Sequence, residues 1–409
     1  MVLAICVSAL LVGAITLLAG TDTADIETQA AQVSTTAPPR TTTAESEPTT
    51  TTVERSLGEP STVLGFVDRS SLLTSVATTT STTAPEVTSG SQAVAAPTGP
   101  APVRIPTPSC AAGLGGISTV TAPLTGLTAS IPSGMPAVVV KVSNNSSSSR
   151  AALIGLDQAD IVYEERIEAN ATRFAAVFHS NLPANVGPVR SGRTTDIDLI
   201  RNLNTPVLGY SGSNDGVAAQ IRFAADNGWM VPFVNTDRAP FARDSRYSAP
   251  ENLFVDPASL GACGNGGNVS PIFSHSSAIP VAAQPASSVS LSARSSYRFD
   301  WNAGAQSWDR SQSGSAHSTR EGVRLSPENV VVMFVPYVQS NIDKDSVDAI
   351  TAGSGEAWIF RDGTATIGTW SRPKVRSGYT FTASDGSAIA LAPGQSWVVL
   401  APAGSASWS

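Results

Sequence analysis

Basic residues stand close together at one point of the sequence, in a pattern that could bind an anion. Arg190, Ser191 and Arg193 lie in the run GPVRSGR, directly before a segment whose apolar residues have helical spacing. The start of a helix has free backbone N–H groups, and guanidinium groups bind carboxylate or phosphate through two parallel hydrogen bonds. We therefore expect an anion-binding cleft. Its predicted ligand-binding residues are Arg173, Arg190, Ser191, Arg193, Arg243 and Arg246.

The same arginines have a structural alternative, which the sequence leaves open. They could pair with Glu164, Glu168 or Asp196 and so join strands to the helix, because buried polar groups commonly satisfy one another. That arrangement requires no cleft.

The nearby acidic residues permit a second function, the hydrolysis of a cell-wall glycan by two carboxylates. The candidate catalytic residues are Glu164, Glu168, Asp196 and Asp244. Glu164 and Glu168 would point to the same face of a continuous strand at about 13 Å, which is too far for an acid and a nucleophile acting on one bond. Asp196 or Asp244 would have to supply the second carboxylate. The sequence therefore leaves open whether the protein is an enzyme.

Other kinds of site receive no support from the sequence. His179, His275 and His317 are scattered and never stand at the spacing of metal ligands, so we expect no metal site. The run GNGGN lacks the flanking strand and helix of a phosphate-binding loop, and we expect no cofactor. A net charge of −7, with no Lys/Arg stripe that could follow a nucleic-acid phosphate backbone, argues against nucleic acid as a partner.

The N-terminal part of the chain indicates a location outside the cytoplasm. Residues 2–20 carry no charge and are long enough to cross a bilayer, so we expect an uncleaved transmembrane anchor at residues 1–20. A cleaved signal peptide, which would release the protein, is the alternative. Residues 21–107 are rich in Thr, Ser and Pro and too poor in large apolar side chains to fold, so they should form a disordered linker.

Cysteine usage agrees with an oxidising compartment. Cys110 and Cys263 are the two cysteines outside the apolar N-terminal segment, and both stand in Gly-rich loops. A disulfide between them is the expected arrangement outside the cytoplasm. Two free thiols are the alternative.

The folded part should comprise an α/β or α+β mixed-sheet domain at 108–285 and an all-β module at 286–409. In the first, ADIVYEERIE has the two-residue period of a half-buried strand, and TRFAAVFHS follows after a short turn, so the two should form an antiparallel hairpin. One helix is predicted to begin near residue 194, with Thr194 or Thr195 as its N-cap, and another to cover 215–228. In the second, the turns Asp362-Gly363 and Asp385-Gly386 are the strongest hairpin signals in the chain.

Several separate motifs resemble one known family. They are PLTGL, QADIVYEERIEANATRF, GPVRSGR and FARDSRYSAPENLF, and later NVVVMFV, GSGEAWIFRDGTATIGTW and LAPGQSWVVLAP. Over about residues 120–404 the chain resembles the YerB-like family of bacterial lipoproteins, a domain of unknown function. The resemblance implies a surface-exposed, membrane-tethered protein in two parts, and it brings no established catalytic residue.

The chain departs from that family at two positions. Thr21 stands where the lipid-bearing cysteine would be, which excludes lipidation at that site. Glu251 stands where relatives tend to have a histidine, which puts His-dependent chemistry in doubt. The sequence therefore predicts an extracytoplasmic envelope protein, attached to the membrane through its N-terminal helix, that binds an anionic cell-wall polymer or an envelope protein; glycan hydrolysis is the alternative.

Overall fold

The computed structural model describes residues 114–235 and 240–409. The predicted anchor at 1–20, the predicted linker at 21–107 and Cys110 lie outside the described residues. In the part of the chain that is described, no helix is long and apolar enough to cross a membrane.

Short strands dominate both halves of the described chain. Up to residue 285 the strands are β1 (Ile117–Thr121), β2 (Thr128–Pro132), β3 (Val138–Ser143), β4 (Ile161–Arg166), β5 (Thr172–Phe178), β6 (Val207–Tyr210), β7 (Val231–Val234), β8 (Phe241–Arg243), β9 (Leu253–Val255) and β10 (Gln284–Pro285). The helices are α1 (Ser147–Ala152), α2 (Thr194–Leu199), α3 (Asp215–Asp226) and α4 (Pro257–Cys263), with 3₁₀ turns at Leu156–Gln158, Glu168–Asn170 and Arg201–Leu203. The later strands are β11 (Ser288–Leu291), β12 (Tyr297–Asn302), β13 (Ser307–Gln312), β14 (Ser315–Ala316), β15 (Asn329–Phe334), β16 (Tyr337–Gln339), β17 (Val347–Ala349), β18 (Gly353–Arg361), β19 (Thr364–Arg372), β20 (Thr380–Ala383), β21 (Ala388–Ile389), β22 (Ser396–Ala401) and β23 (Ala406–Trp408).

The core is a mixed sheet, twelve-stranded within the described residues, in the order β21-β20-β19-β18-β15-β22-β4-β5-β3-β6-β7, with β10 paired to β19. Its middle strands are hydrophobic runs, such as VVVKVS in β3 and SWVVLA in β22, and every residue of these two strands is buried. Such runs are typical of strands covered on both faces. Because β3 and β4 are both antiparallel to β5, and β6, β7, β22 and β15 follow by parallel pairing, all six have their carboxyl ends at one edge.

Different elements cover the two faces of this sheet. On one face α2 and α3 pack through Ile197 and Ile221 against a core that contains Val139. On the other face lie α4 and a five-stranded sheet of order β14-β13-β12-β11-β23, which contribute Leu260 and Phe299 to a core containing Val140. Successive residues of a strand point to opposite faces, so each strand contributes to both cores.

The predicted fold class is confirmed in its main features. The described chain is mostly strands with few helices, its central sheet is mixed, and residues 286–409 contain strands and turns without a helix. β4 and β5 form the predicted antiparallel hairpin. Asp362 and Gly363 both adopt positive φ, at 48° and 67°, and connect β18 to β19 as the Asp-Gly signal predicts.

The all-β C-terminal part and the mixed-sheet N-terminal part share one sheet. β22 pairs in parallel with β4, and β15 pairs in parallel with β22, so strands from both halves of the chain lie in one sheet. Parallel partners are joined by long connections and have no local turn signal, which is why the sequence did not reveal this pairing.

A buried ion pair joins the two halves on the face covered by the five-stranded sheet. Arg310 of β13 donates to Oε1 and Oε2 of Glu164 in β4 at 3.0 and 3.1 Å, and both side chains are fully buried. Nε1 of Trp397 in β22 donates to Oε2 of the same carboxylate at 2.9 Å. The guanidinium also lies over the rings of Tyr297 and Trp397, at 4.7 and 5.0 Å from their centroids. Three strands from two sheets therefore depend on one charge pair.

We expect Arg310→Met to lower the free energy of unfolding by about 3–5 kcal/mol, because it leaves the carboxylate of Glu164 buried and unpaired. Urea denaturation at pH 7 measures the loss. Arg298→Met is the matched control, since Arg298 pairs with Asp300 at an exposed position and such pairs contribute at most about 1 kcal/mol. Adding Glu164→Gln to Arg310→Met should restore part of the loss. Equal losses for Arg310→Met and Arg298→Met would contradict this account of the interface.

Candidate functional site

A lysine buried within the sheet is the centre of the site. Lys141 lies on β3, and its side chain is fully buried. Its ammonium group donates a hydrogen bond to Oε1 of Glu165 and another, at 2.6 Å, to Oδ1 of Asp196. Both carboxylates are buried as well. Since a buried charge is tolerated when an opposite charge satisfies it, these three residues form one ionic unit.

Strand register places the sheet residues of this unit on one face. Lys141 lies opposite Ala175 of β5, and Glu165 of β4 lies opposite Arg173 of β5. Residues 173 and 175 are two apart and point to the same side, so the basic and acidic side chains of three adjacent strands meet there. This is the face that α2 covers.

The first turn of α2 supplies the third member. Oδ2 of Asp196 accepts a hydrogen bond from the backbone N–H of Arg193 at 2.7 Å, so the same carboxylate caps the helix and binds Lys141. The cap residue is Arg193, whereas the sequence predicted Thr194 or Thr195. The helix start was therefore located to within two residues, and its cap was wrong.

Three arginines lie beside the ionic unit. Burial, followed by the neighbouring guanidinium of Arg193, lowers the pKa of Arg173 to about 10. Nη1 of Arg173 donates to the carbonyl oxygen of Ser191 at 3.4 Å. Nη2 of Arg193 pairs with Oε1 of Glu168 at 2.5 Å. We call Arg173, Arg190 and Arg193 the basic cluster.

Arg190 differs from the other two arginines of the basic cluster. Its backbone N–H donates to the carbonyl oxygen of Lys141 at 2.8 Å, and its carbonyl accepts from the N–H of Ser211 at 3.0 Å, which places it at the carboxyl edge of β3 and β6. Its guanidinium makes no hydrogen bond or ion pair with any of residues 114–235 and 240–409, and its Nε is buried without a partner. A half-buried guanidinium that donates to no described residue can bind an anionic ligand.

The charges of the site favour a negative ligand. The charged side chains are Lys141, Arg173, Arg190 and Arg193, and Glu165, Glu168 and Asp196. Four basic and three acidic groups leave a formal excess of positive charge. Burial raises the pKa of Glu165, and the ammonium group of Lys141 opposes that shift. Among the described residues, no group of three His, Cys, Asp or Glu side chains could hold a metal ion.

The remaining predicted arginines lie in a second group, Arg243 on β8 and Arg246 in the loop that joins β8 to β9. Arg246 donates to both carboxylate oxygens of Asp244, and Nη1 of Arg320 donates to Oδ2 of Asp244 at 3.2 Å. Nη1 of Arg243 donates to Oδ1 of Asn252 at 2.9 Å. The hydrogen bonds from Arg246 lower the pKa of Asp244, which keeps it ionised. Asp244 therefore has a structural role, because it binds both Arg246 and Arg320.

Glu164 and Glu168 do not lie on one continuous strand. β4 ends at Arg166, and Glu168 begins a 3₁₀ turn. Glu164 is held on the opposite face by Arg310. Although burial alone would raise the pKa of Glu168, its backbone hydrogen bond and the guanidinium groups of Arg193 and Arg173 lower it. These two carboxylates therefore do not form an acid and a base at one site.

Two central residues of the site, Lys141 and Glu165, are not among the site residues predicted from the sequence. The sequence did contain a signal, because a lysine inside the apolar run VVVKVS can be buried only beside an acid. The second glutamate of YEER, Glu165, lies on the same face of the sheet as this lysine.

The structure describes Cys263 and Glu251, two other residues that the sequence singled out. Cys263 ends α4, but its predicted partner Cys110 lies outside the described residues, so the disulfide stays a prediction. Glu251 is 8% exposed and its Oε2 is buried without a partner.

We expect Lys141→Met to lower the free energy of unfolding by about 3–5 kcal/mol, because two buried carboxylates lose their counter-charge. Lys374→Met is the matched control, since Lys374 is exposed and its replacement should change the free energy of unfolding by no more than about 0.5 kcal/mol. Guanidinium denaturation of both variants measures the difference. If Lys141→Met is as stable as Lys374→Met, the ionic unit does not organise this part of the fold.

Comparison with known proteins agrees with this architecture. The model described as "Protein of unknown function (DUF3048) N-terminal domain" matches residues 124–270, and the corresponding C-terminal domain matches residues 287–398. The chain is 28% identical over 298 residues to the protein named "Putative lipoprotein YerB" of Bacillus subtilis (strain 168), covering 69% of this chain and 86% of that protein. The crystal structure of YerB protein from Bacillus subtilis has a similar fold, with a TM-score of 0.60 and 23% identity over 71% of this chain and 99% of that one. The two family domains together cover more than half of the chain, which therefore belongs to the YerB-like (DUF3048) family.

Proposed function

We propose that this protein is a membrane-attached extracytoplasmic envelope protein that binds an anionic cell-wall polymer through the basic cluster. The single observation that carries the proposal is the guanidinium of Arg190, which has no acceptor among the described residues and lies beside two other arginines. An anionic group bound there would satisfy donors that the protein leaves unpaired.

The location rests on the sequence and on the relative. The apolar segment at residues 2–20 would serve as the membrane anchor, and Thr21 excludes lipid attachment directly after it. The B. subtilis relative is named a lipoprotein, which places that protein at a membrane. Residues 21–107 have the Thr/Ser/Pro-rich composition of a tether, and a chain of this length would let the folded part reach roughly 50 Å from the membrane, into the wall.

Binding without catalysis is favoured over glycan hydrolysis. Glu164 is bonded to Arg310 and Asp244 to Arg246, so neither carboxylate faces a partner acid across an open site. The third candidate, Asp196, is fully buried and bound to Lys141, and the fourth, Glu168, is paired with Arg193. No observation on the described residues supports a reaction at these carboxylates.

We expect Arg190→Ala to weaken binding to cell-wall fragments that carry an anionic polymer by about tenfold or more, the effect of losing a charge-assisted hydrogen bond. The protein should stay folded, because this guanidinium contacts no described acceptor, and its free energy of unfolding should change by less than about 0.5 kcal/mol. Isothermal titration calorimetry and thermal unfolding measure the two quantities. Binding should also weaken as salt is raised, since the attraction is screened.

Arg222→Ala is the matched control, because Arg222 is an exposed arginine of α3 outside the basic cluster. Fragments stripped of their anionic polymer form the second control, and they should not bind. Equal affinity of the Arg190→Ala and Arg222→Ala variants would refute the site. Undiminished binding to stripped fragments would refute the polymer as the ligand and point to an envelope protein.

A further inference from the structure

A cavity lies at the edge of the central sheet opposite the basic cluster. It has a volume of about 210 Å³ and is lined by Arg201, Asn202, Asn204, Thr205, Gly228, Trp229, Ser270 and Arg376. Thr205 stands just before β6, and Trp229 just before β7, so the cavity lies at the amino ends of these strands. The cluster around Arg190 lies at their carboxyl ends, so the two sites are separate.

The walls of the cavity come from both family domains and are fixed by hydrogen bonds. Oγ1 of Thr205 donates to the carbonyl oxygen of Gly228 at 3.0 Å. Nδ2 of Asn204 donates to the carbonyl oxygen of Asn268 at 2.9 Å. Arg376 comes from the segment after β19, which is tied to the other half through Arg372, whose Nη2 donates to the carbonyl oxygen of Asp198 at 2.7 Å. The cavity is therefore a built feature where the two domains meet.

Two guanidinium groups face this space without a bound acid. Cζ of Arg201 lies 3.4 Å from the centroid of the Trp229 ring, and stacking of this kind leaves the N–H edge of the guanidinium free to donate. Neither Arg201 nor Arg376 forms an ion pair with any described residue. Burial, followed by the like charge of Arg376, lowers the pKa of Arg201, and Asp198 offsets this only in part.

The third observation is a buried amide without partners. Asn202 is 6% exposed and lines the cavity, and neither its Nδ2 nor its Oδ1 has a hydrogen-bond partner among the described residues. A buried amide that makes no hydrogen bond is destabilising. A ligand in the cavity would satisfy it.

We propose that this cavity is a binding site for a phosphate group, held by Arg201 and Arg376 and hydrogen-bonded to Asn202. Two cations without a counter-acid match a dianion better than a single carboxylate, and guanidinium groups fit the geometry of phosphate oxygens. The volume equals that of about seven waters at their share of liquid volume, which is enough for phosphate and a small attached group. This site is independent of the proposed function at Arg190.

The test is calorimetric titration of the full-length protein with inorganic phosphate at constant ionic strength. We expect wild type to bind phosphate, and Arg376→Ala to bind it about tenfold to a hundredfold more weakly, the range for loss of one charge-assisted hydrogen bond. Arg376 is exposed, so its replacement should not unfold the chain. Lys374→Ala, which removes an exposed positive charge two residues away, is the matched control and should bind as wild type does.

Glycerol 3-phosphate and a glycerophosphodiester distinguish the source of the group. Tighter binding of the monoester indicates a small phosphorylated ligand, and tighter binding of the diester indicates a phosphodiester polymer; either result supports the site. Absence of phosphate binding to wild type would overturn the proposal. Equal phosphate binding by the Arg376→Ala and Lys374→Ala variants would also overturn it. If phosphate binding is lost in Arg190→Ala and kept in Arg376→Ala, the phosphate binds at the basic cluster and the proposal is wrong.

Asn202→Leu provides a second readout. Because leucine removes two unsatisfied polar atoms at similar volume, we expect the ligand-free variant to be at least as stable as wild type. Its melting temperature should no longer rise with added phosphate, whereas that of wild type should. A variant whose melting temperature still rises as in wild type would contradict the role of the amide.

Discussion

The position of the candidate site depends on one buried cation. Lys141 stands in the middle of a fully buried strand, and Glu165 and Asp196 supply its counter-charges from a neighbouring strand and from the first turn of α2. Because a charge in such surroundings must be paired, the ion pairs determine how α2 lies on the sheet. The backbone of Arg190 is hydrogen-bonded to the same lysine residue, so the loop that carries the free guanidinium is fixed by the same constraint.

The opposite face of the sheet has a second constraint of the same kind. Glu164 and Glu165 are adjacent in β4 and point to opposite faces, where each meets a different buried cation. On one face the ion pair of Glu165 and Lys141 holds the loop that carries Arg190, which remains partly open to solvent. On the other face it joins the five-stranded sheet to the central sheet in a fully buried contact with aromatic rings. Two adjacent residues, Glu164 and Glu165, therefore stabilise the contact between the two domains and the candidate site, respectively.

Local features of this fold could be predicted from the sequence, and long-range features could not. The hairpin at Asp362-Gly363 and the start of α2 follow from turn chemistry and from helical spacing, which act over a few residues. The parallel pairing of β22 with β4 connects residues more than two hundred positions apart, and no local pattern encodes it. The sequence therefore predicted that the C-terminal half consists of strands, but not that these strands complete the central sheet.

The candidate site was predicted in part for the same reason. Arg173, Arg190, Ser191 and Arg193 do lie together, since the basic run and the helix start are local signals. Arg246 is bonded instead to Asp244, two residues away in sequence, a pairing that the sequence alone did not distinguish from a cleft. The phosphate cavity was not expected at all, because Arg201 and Arg376 are brought together only by the shared sheet.

The most direct test of the central claim is a crystal structure of the protein with a bound fragment of anionic wall polymer. The account predicts that a negatively charged group of the fragment lies within hydrogen-bond distance of the Arg190 guanidinium, while Lys141 keeps its contacts with Glu165 and Asp196. A fragment bound away from the basic cluster, with Arg190 paired to a carboxylate of the protein itself, would contradict it.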